Sequence, residues 1–389
     1  MIDPQLWTPF APETAVSRAL RRRVQSDVNA RGRFYDLSEQ SENVPEWPTD
    51  NWLDGSAFWA TGRALSRRDR ERLRGRCQVE AASRQYGVSV SYASIRAWPD
   101  DKAVFSDPAA RIVERGQLST LHTGEPIRIL GQSADGSWYL MRCRTYEGWV
   151  RQDSVGVCER EKFELFATAA EYLVVVGRGA WVEPDPCGHG QPASLEFGAW
   201  IPLDDPQRDP WAAQYRVLIP QRGPEGQLVI RRGQVPVSAA VRAGFLPFTP
   251  HSVITSAFQL LGDRYGWGGR MDRRDCSGFV MDVYRTLGLQ LPRDAADQEN
   301  ALPERVMAEG DKLQHAGAGD LLPMPGHIMM YLGRHGGHDF VVHAFVGFSE
   351  TAESAPILPN QVMVTPLDIY LRRGGKTYLD AVTSIRRVF

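Results

Sequence analysis

Between Cys276 and Leu287 the large apolar residues Phe279, Val280, Val283, Tyr284 and Leu287 recur at spacings of three and four. That period predicts a helix with one buried face, and the helix begins at a cysteine. Asp275 before it suits an N-cap, and Gly288 after it suits the C′ position. A helix start presents free backbone N–H groups and partial positive charge. It therefore favours thiolate over thiol, and it can receive the oxyanion that forms when a thiolate attacks a carbonyl. Ser277 and Gly278 leave room for a substrate to approach. The expectation is a nucleophilic Cys276 with a lowered pKa.

Such a nucleophile needs a base to take its proton and return it to a leaving amine, and imidazole is the usual one. Of eight histidines, His327 opens the apolar run Ile328-Met329-Met330-Tyr331-Leu332 and His343 closes Phe340-Val341-Val342. The two runs predict a β-hairpin whose turn spans Arg334 to His338. A register that pairs 327 with 343 centres that turn on residue 335 and puts both imidazoles on one face. One ring can then act on Cys276 while the other orients it, the third role in a triad. His335 and His338 lie near the tip, where two exposed loop histidines make a poor metal site. No metal or other cofactor is called for. Taken singly, a cysteine at a helix start is more often structural and strand histidines are often only satisfied polar groups. The combination is what favours catalysis.

A chain of 389 residues is longer than one core usually supports, so several domains are expected. Residues 1–83 read as an irregular, partly helical clasp, with helices predicted over 14–28 and 66–74 and a loop holding Trp47, Pro48, Trp52 and Phe58 between them. The basic clusters Arg21-Arg22-Arg23 and Arg67-Arg68 read as solvated helix faces. From 84 to 158 short β-type runs predominate: Ile127–Leu130, Ser137–Cys143 with Asp135-Gly136 as a hairpin turn, then Gly148-Trp149-Val150. About five such strands suggest a small barrel. Residues 159–247 repeat the texture, with strands expected at Tyr172–Val176, Trp200–Leu203, Tyr215–Ile219 and Gln227–Ile230, and they read as a second, diverged barrel. His189 is expected to be a loop histidine. Thr249-Pro250 then opens a helix. Helices followed by strands make 248–389 an α+β domain.

The net charge of −2 supplies no basic excess for nucleic-acid binding. No run is long enough for a transmembrane helix, and the N-terminus lacks a basic-then-apolar signal pattern, although a signal or anchor could have been trimmed. The five cysteines Cys77, Cys143, Cys158, Cys187 and Cys276 form no metal-type CxxC pair, and Cys143 and Cys158 could be either a disulfide or two thiols. Oligomeric state is left open.

Tyr265-Gly266-Trp267-Gly268-Gly269, Asp275-Cys276-Ser277-Gly278-Phe279-Val280, Gly319-Asp320-Leu321, the run from His327 to Gly333 and Val342-His343-Ala344 together resemble the NlpC family of papain-like bacterial cell-wall peptidases. Gly124-Glu125-Pro126, Asp135-Gly136-Ser137-Trp138 and Tyr146-Glu147-Gly148-Trp149-Val150 resemble bacterial SH3-like barrels. With a clasp and two barrels ahead of the peptidase domain, the chain resembles γ-D-glutamyl-diamino acid endopeptidases, which cut peptidoglycan stem peptides between D-Glu and the diamino acid. The resemblance implies Cys276 as nucleophile, His327 as general base and His343 as its orienting residue. It implies Tyr265 beside the nucleophile, Asp275 and Ser277 in the substrate groove, and Asp294 with Arg293 in a pocket for the free amine of an N-terminal L-Ala. Tyr146 is the candidate for a tyrosine that walls this pocket. Where an acidic partner is sought, the chain departs from the pattern with Gln117, Leu118 and Ser119. The implied compartment is the cell envelope or periplasm, with a cytoplasmic recycling enzyme as the alternative. Two other functions fit the same residues: an amidase or acyltransferase using the triad on another acyl bond, and an inactive wall-peptide-binding protein.

Overall fold

The computed structural model describes residues 3–8, 12–37, 53, 55–109, 111–186, 190–204 and 211–389, apart from the side chains of 80–84. The expectations for Trp47, Pro48, Trp52 and His189 lie outside these residues. Packing groups the chain into two compact units, one comprising residues 1–33, 245–265 and 273–389, the other 34–244 and 266–272. The N-terminal segment is thus shared between them.

Helix α1 (Ala15–Arg31) belongs to the first unit and starts in a capping box formed by Thr14 and Ser17. Gln25 ties it to the loop after the cysteine helix, donating to Gln290 O and accepting from Gln290 N. Helix α2 (Arg67–Arg76) belongs to the second unit and starts in a similar box at Ser66.

The second unit holds a seven-stranded antiparallel sheet: β1 (Val79–Ser89), β2 (Ala93–Arg96), β3 (Gln117–Leu121), β4 (Pro126–Ser133), β5 (Trp138–Arg142), β6 (Glu147–Arg151) and β7 (Val155–Cys158), in the order β3-β2-β6-β5-β4-β1-β7. Its core of Ile95, Trp98, Ile127, Ile129, Leu140 and Trp149 also takes in Leu53, Trp59, Leu65 and Leu73. The sparse apolar residues ahead of the sheet are therefore buried in the sheet's core. Gly136 turns the Asp135-Gly136 hairpin at φ +67°. Of the seven strands, β4, β5 and β6 are the ones the sequence reading names among about five; β1, β2, β3 and β7 are not singled out by it. Cys143 and Cys158 are both free thiols.

After α3 (Arg160–Ala167) come β8 (Tyr172–Val175), β9 (Gly179–Pro184), β10 (Ala193–Glu196), β11 (Trp200–Pro202), β12 (Gln214–Arg222), β13 (Leu228–Pro236) and β14 (Val241–Ala243). They form two small sheets, β11-β8-β14 and β10-β9-β13-β12, around one core of Leu173, Val175, Val182, Leu195, Ile201, Val217 and Ile219. Residues 266–272 also fold with this unit: Gln117 Nε2 donates to Gly268 O at 2.9 Å, and Trp267 Nε1 donates to Gln117 O at 3.1 Å. Glu114, buried, is bound by Arg96 and Arg270.

The first unit supplies α4 (Pro250–Phe258), α5 (Cys276–Arg285) and α6 (Ala295–Ala301) before its sheet. Strands β15 (Glu304–Arg305), β16 (Leu321–Met324), β17 (His327–His335), β18 (His338–Phe345), β19 (Gln361–Pro366) and β20 (Ile385–Arg386) order as β15-β20-β16-β17-β18-β19. Helices first and strands after is the expected α+β arrangement. Every residue of α5 is buried, and the helix packs on β17 and β18. Gly288 closes it as a Schellman motif: its N–H meets Arg285 O at 2.9 Å, and Leu289 N–H meets Tyr284 O at 3.1 Å.

Gly288 has φ +76°, and a Cβ there would lie 2.7 Å from the Phe245 ring. Gly262 has φ +82° but open space. Gly262→Ala is expected to cost about 1 kcal/mol in urea unfolding and Gly288→Ala roughly 1–3 kcal/mol more. Equal losses would show that the Phe245 contact is immaterial.

Candidate active site

The first turn of α5 is held from three directions. Asp275 Oδ1 caps it by accepting from Gly278 N at 2.8 Å. Arg293, itself buried, donates to Asp275 Oδ2 at 2.7 Å and to Ser277 Oγ at 2.9 Å. Gln298 on α6, wholly buried, donates to Ser277 O at 3.0 Å and to Pro292 O at 2.8 Å. One residue ahead of the cap, Arg274 binds Asp282 within the helix at 2.8 Å. Asp275, Ser277 and Arg293 are thus internal braces of the cysteine helix. The sequence reading missed Gln298 and Arg274, since neither stands in a pattern that would single it out.

Cys276 is 8% exposed, and its sulfur receives the backbone N–H groups of Ile328 and Ser277. The Ile328 contact brings the sulfur to the first residues of β17, beside His327. His327 Nε2 and His343 Nδ1 are 2.9 Å apart, and His343 Nε2 lies 3.0 Å from Thr365 Oγ1 on β19. His343 is fully buried, with the Phe345 ring stacked on it at 4.0 Å and the Tyr378 ring edge-on at 5.6 Å.

The hairpin register differs from the expected one. Met330 pairs with Val342 and Tyr331 with Val341, so continuing the ladder sets His343 opposite Met329. His327 is then the diagonal neighbour of His343, still on the same face because the shift is two residues. The turn is also tighter than expected: His335 pairs with His338 across Gly336 and Gly337, whose φ values of +58° and +85° suit a two-residue loop. The strands, and not the loop, are long. His338 is paired with Asp368 at 2.7 Å, and His335 packs edge-on to Trp7. Among the described residues no three His, Cys, Asp or Glu side chains are grouped as a metal site requires.

Electrostatically the resting site is the reverse of the expected thiolate. Burial, aided by Asp275, pushes the Cys276 thiol up to about 12, and burial takes His327 down to about 4. His343 is lowered well below the ordinary imidazole value, by burial and then by His327. A helix start offers a charge at most about 2 kcal/mol, whereas burial of an ionised group can shift its pKa by several units, so burial wins. Thiol and imidazole are both neutral.

Tyr265 is half-buried, and its phenol is held protonated by burial and then by the charge of Asp275. Its backbone bridges that of Arg274, one residue ahead of the cap. Asp294 is exposed and makes no side-chain cap to α6. Its pKa is raised by partial desolvation of the carboxyl, with Asp297 and Asp275 adding and Arg293 and Arg33 opposing. Tyr146 lies half-buried between β5 and β6, in the unit that does not carry Cys276.

Two outcomes follow from this geometry. Arg293→Met takes the guanidinium from a buried carboxylate and is expected to cost about 3–5 kcal/mol in urea unfolding, partly restored by adding Asp275→Asn. A loss below about 1 kcal/mol would mean the pair does not brace the helix. Iodoacetamide labelling of Cys276, identified by mass spectrometry, is expected to rise about tenfold per pH unit from about pH 6 to 9 without a plateau. A plateau across that range would instead reveal a resting thiolate.

Residues 262–353 match the NlpC/P60 family, and residues 104–151 match the SH3 domain (SH3b1 type). The chain is 33% identical over 100 residues to dipeptidyl-peptidase 6 of Lysinibacillus sphaericus, a stretch covering 25% of this chain and 34% of that protein. It is 37% identical over 75 residues to γ-D-glutamyl-L-lysine dipeptidyl-peptidase of Bacillus subtilis (strain 168), covering 19% of this chain and 23% of that one. These matches span about a third or less of each relative's length. An NlpC/P60 endopeptidase from Photobacterium damselae subsp. piscicida shares the fold at a TM-score of 0.74 and 16% identity, over 94% of this chain and 90% of that one. An NlpC/P60 family protein from Bacillus cereus ATCC 10987 gives a TM-score of 0.56 at 17% identity, over 78% and 99%. The chain carries an NlpC/P60 domain preceded by an SH3b-type domain.

Proposed function

We propose that this protein is a cysteine peptidase that hydrolyses the γ-D-glutamyl bond to the diamino acid in peptidoglycan stem peptides. The observation that carries the reading is Cys276 at a buried, braced helix start, its sulfur against the strand that begins with His327, and His327 bonded to His343. The name of the Bacillus subtilis relative supports the choice of bond.

In this reading the substrate carbonyl meets a neutral thiol. As the C–S bond forms, the thiol proton passes to Nδ1 of His327, whose Nε2 faces His343. The backbone N–H of Cys276 at the start of α5 receives the oxyanion, and Tyr265 is a second donor. His327 then gives its proton to the departing amine, and water releases the acyl group by the reverse exchange. The exposed carboxyl of Asp294 suits an ammonium, which would favour its ionised form. That supports a preference for a free N-terminal L-Ala, with Arg293 acting through Asp275 and Ser277. The β-rich 159–247 is, in this reading, a second SH3-like domain. Such a substrate points to a cell-wall or extracellular setting. No helix among the described residues is long and apolar enough to cross a membrane.

The test is mass-spectrometric cleavage of L-Ala-γ-D-Glu-meso-diaminopimelate and its N-acetylated form by wild type, Cys276→Ala and Asp294→Asn. Release of L-Ala-D-Glu from the free-amine peptide, abolished in Cys276→Ala and weakened roughly tenfold or more in kcat/KM by Asp294→Asn, is expected. Equal cleavage of both peptides would remove the amine requirement. Failure to cleave either would overturn the proposal in favour of another acyl substrate or a binding role.

A further inference from the structure

The side chains of His327, His343 and Thr365 form a straight diagonal across three strands. His343 stands opposite Met363 on β19, and Thr365, paired with Val341, is two residues further along the same face. On the other side, the β17 register makes His327 the opposite diagonal neighbour of His343. Hydrogen bonds of 2.9 and 3.0 Å link the three. We infer that Thr365 is a positioning residue for the His327 base, acting through His343 by accepting its Nε2 proton. The inference rests on the cysteine-peptidase reading of the site.

A neutral imidazole carries one N–H, and both nitrogens of His343 are engaged. In one arrangement His343 donates from Nε2 to Thr365 and accepts at Nδ1 from His327 Nε2–H. Nδ1 of His327 is then bare and can take a proton. In the other, His343 donates from Nδ1 to His327, so that His327 carries its proton on Nδ1 and cannot act as a base. Only the first persists when His327 becomes an imidazolium, because both its nitrogens then bear protons and His343 must accept. That state requires an acceptor at Nε2 of His343.

Thr365 is 2% exposed and His343 fully buried, beneath the stacked ring of Phe345 and the edge of Tyr378. Water has little access to replace the hydroxyl. Without it, the His343 Nε2–H would be a buried, unmet donor, which disfavours the tautomer that catalysis needs.

Thr365→Val keeps the shape and removes the acceptor, while Thr365→Ser restores it. Histidine tautomers are read in the full chain, without substrate, by long-range ¹H–¹⁵N correlation of ¹⁵N-histidine-labelled protein. Wild type is expected to carry the proton of both His327 and His343 on Nε2. In Thr365→Val the His343 proton is expected to move to Nδ1, and in Thr365→Ser to return. With the stem peptide, kcat/KM is expected to fall roughly ten- to a hundredfold in the valine variant, with its acid limb displaced to lower pH, and to recover with serine. A wild-type His343 protonated on Nδ1 overturns the inference even should the valine variant not fold. So does a valine variant with wild-type tautomers, or a serine variant that fails to recover. Should wild type leave the peptide intact, the substrate reading fails, and the spectra still decide the role of Thr365.

Discussion

The buried ion pair between Arg293 and Asp275 sets the frame for the site. Asp275 must cap α5 with one oxygen, and Arg293 occupies the other while also holding Ser277. A carboxylate this deep is tolerable only with a cation and hydrogen bonds around it. Because the same arginine comes from the loop after α5, the pair ties the cysteine helix to the segment carrying Asp294. Gln298 fastens that segment again, through Ser277 O and Pro292 O. The sulfur is thereby fixed before any substrate arrives.

That same enclosure explains why the resting cysteine is not a thiolate. A helix start favours negative charge, but Cys276 and His327 are both withdrawn from water, and Asp275 stands close to the sulfur. The site therefore stores its proton on sulfur. In the proposed reaction, charge separation would wait for a carbonyl to receive the electrons, and the imidazolium would have His343 to accept from it. Burial of this kind also limits reaction with small oxidants, which need the thiolate.

In the β-rich unit, polar residues expected near a substrate pocket are engaged with the protein's own backbone. Gln117, found where an acid was sought, holds Gly268 and Ser119 through its side-chain amide. The nearest carboxylate in sequence, Glu114, is buried between Arg96 and Arg270. An amide can donate to two carbonyls where a carboxylate cannot, so the departure at position 117 has a structural meaning within this unit.

The period of three and four after Cys276, the caps at Asp275 and Gly288, and the two apolar runs after His327 and before His343 were legible because helices and strands repeat locally. Side-chain parity was legible too, so both histidines were assigned to one face correctly. The strand register was not, since a shift of two residues leaves the apolar pattern unchanged; only the Gly336-Gly337 turn and the pairing of three strands decide it. Thr365 joined the histidines for the same reason, being a strand threonine with no local mark. The sign of the cysteine's pKa likewise depended on burial and on Asp275, quantities that belong to packing. Sequence alone determined which residues could do chemistry here, because residue type and period are local; tertiary structure decided their protonation and partners, because desolvation and cross-strand contact are not.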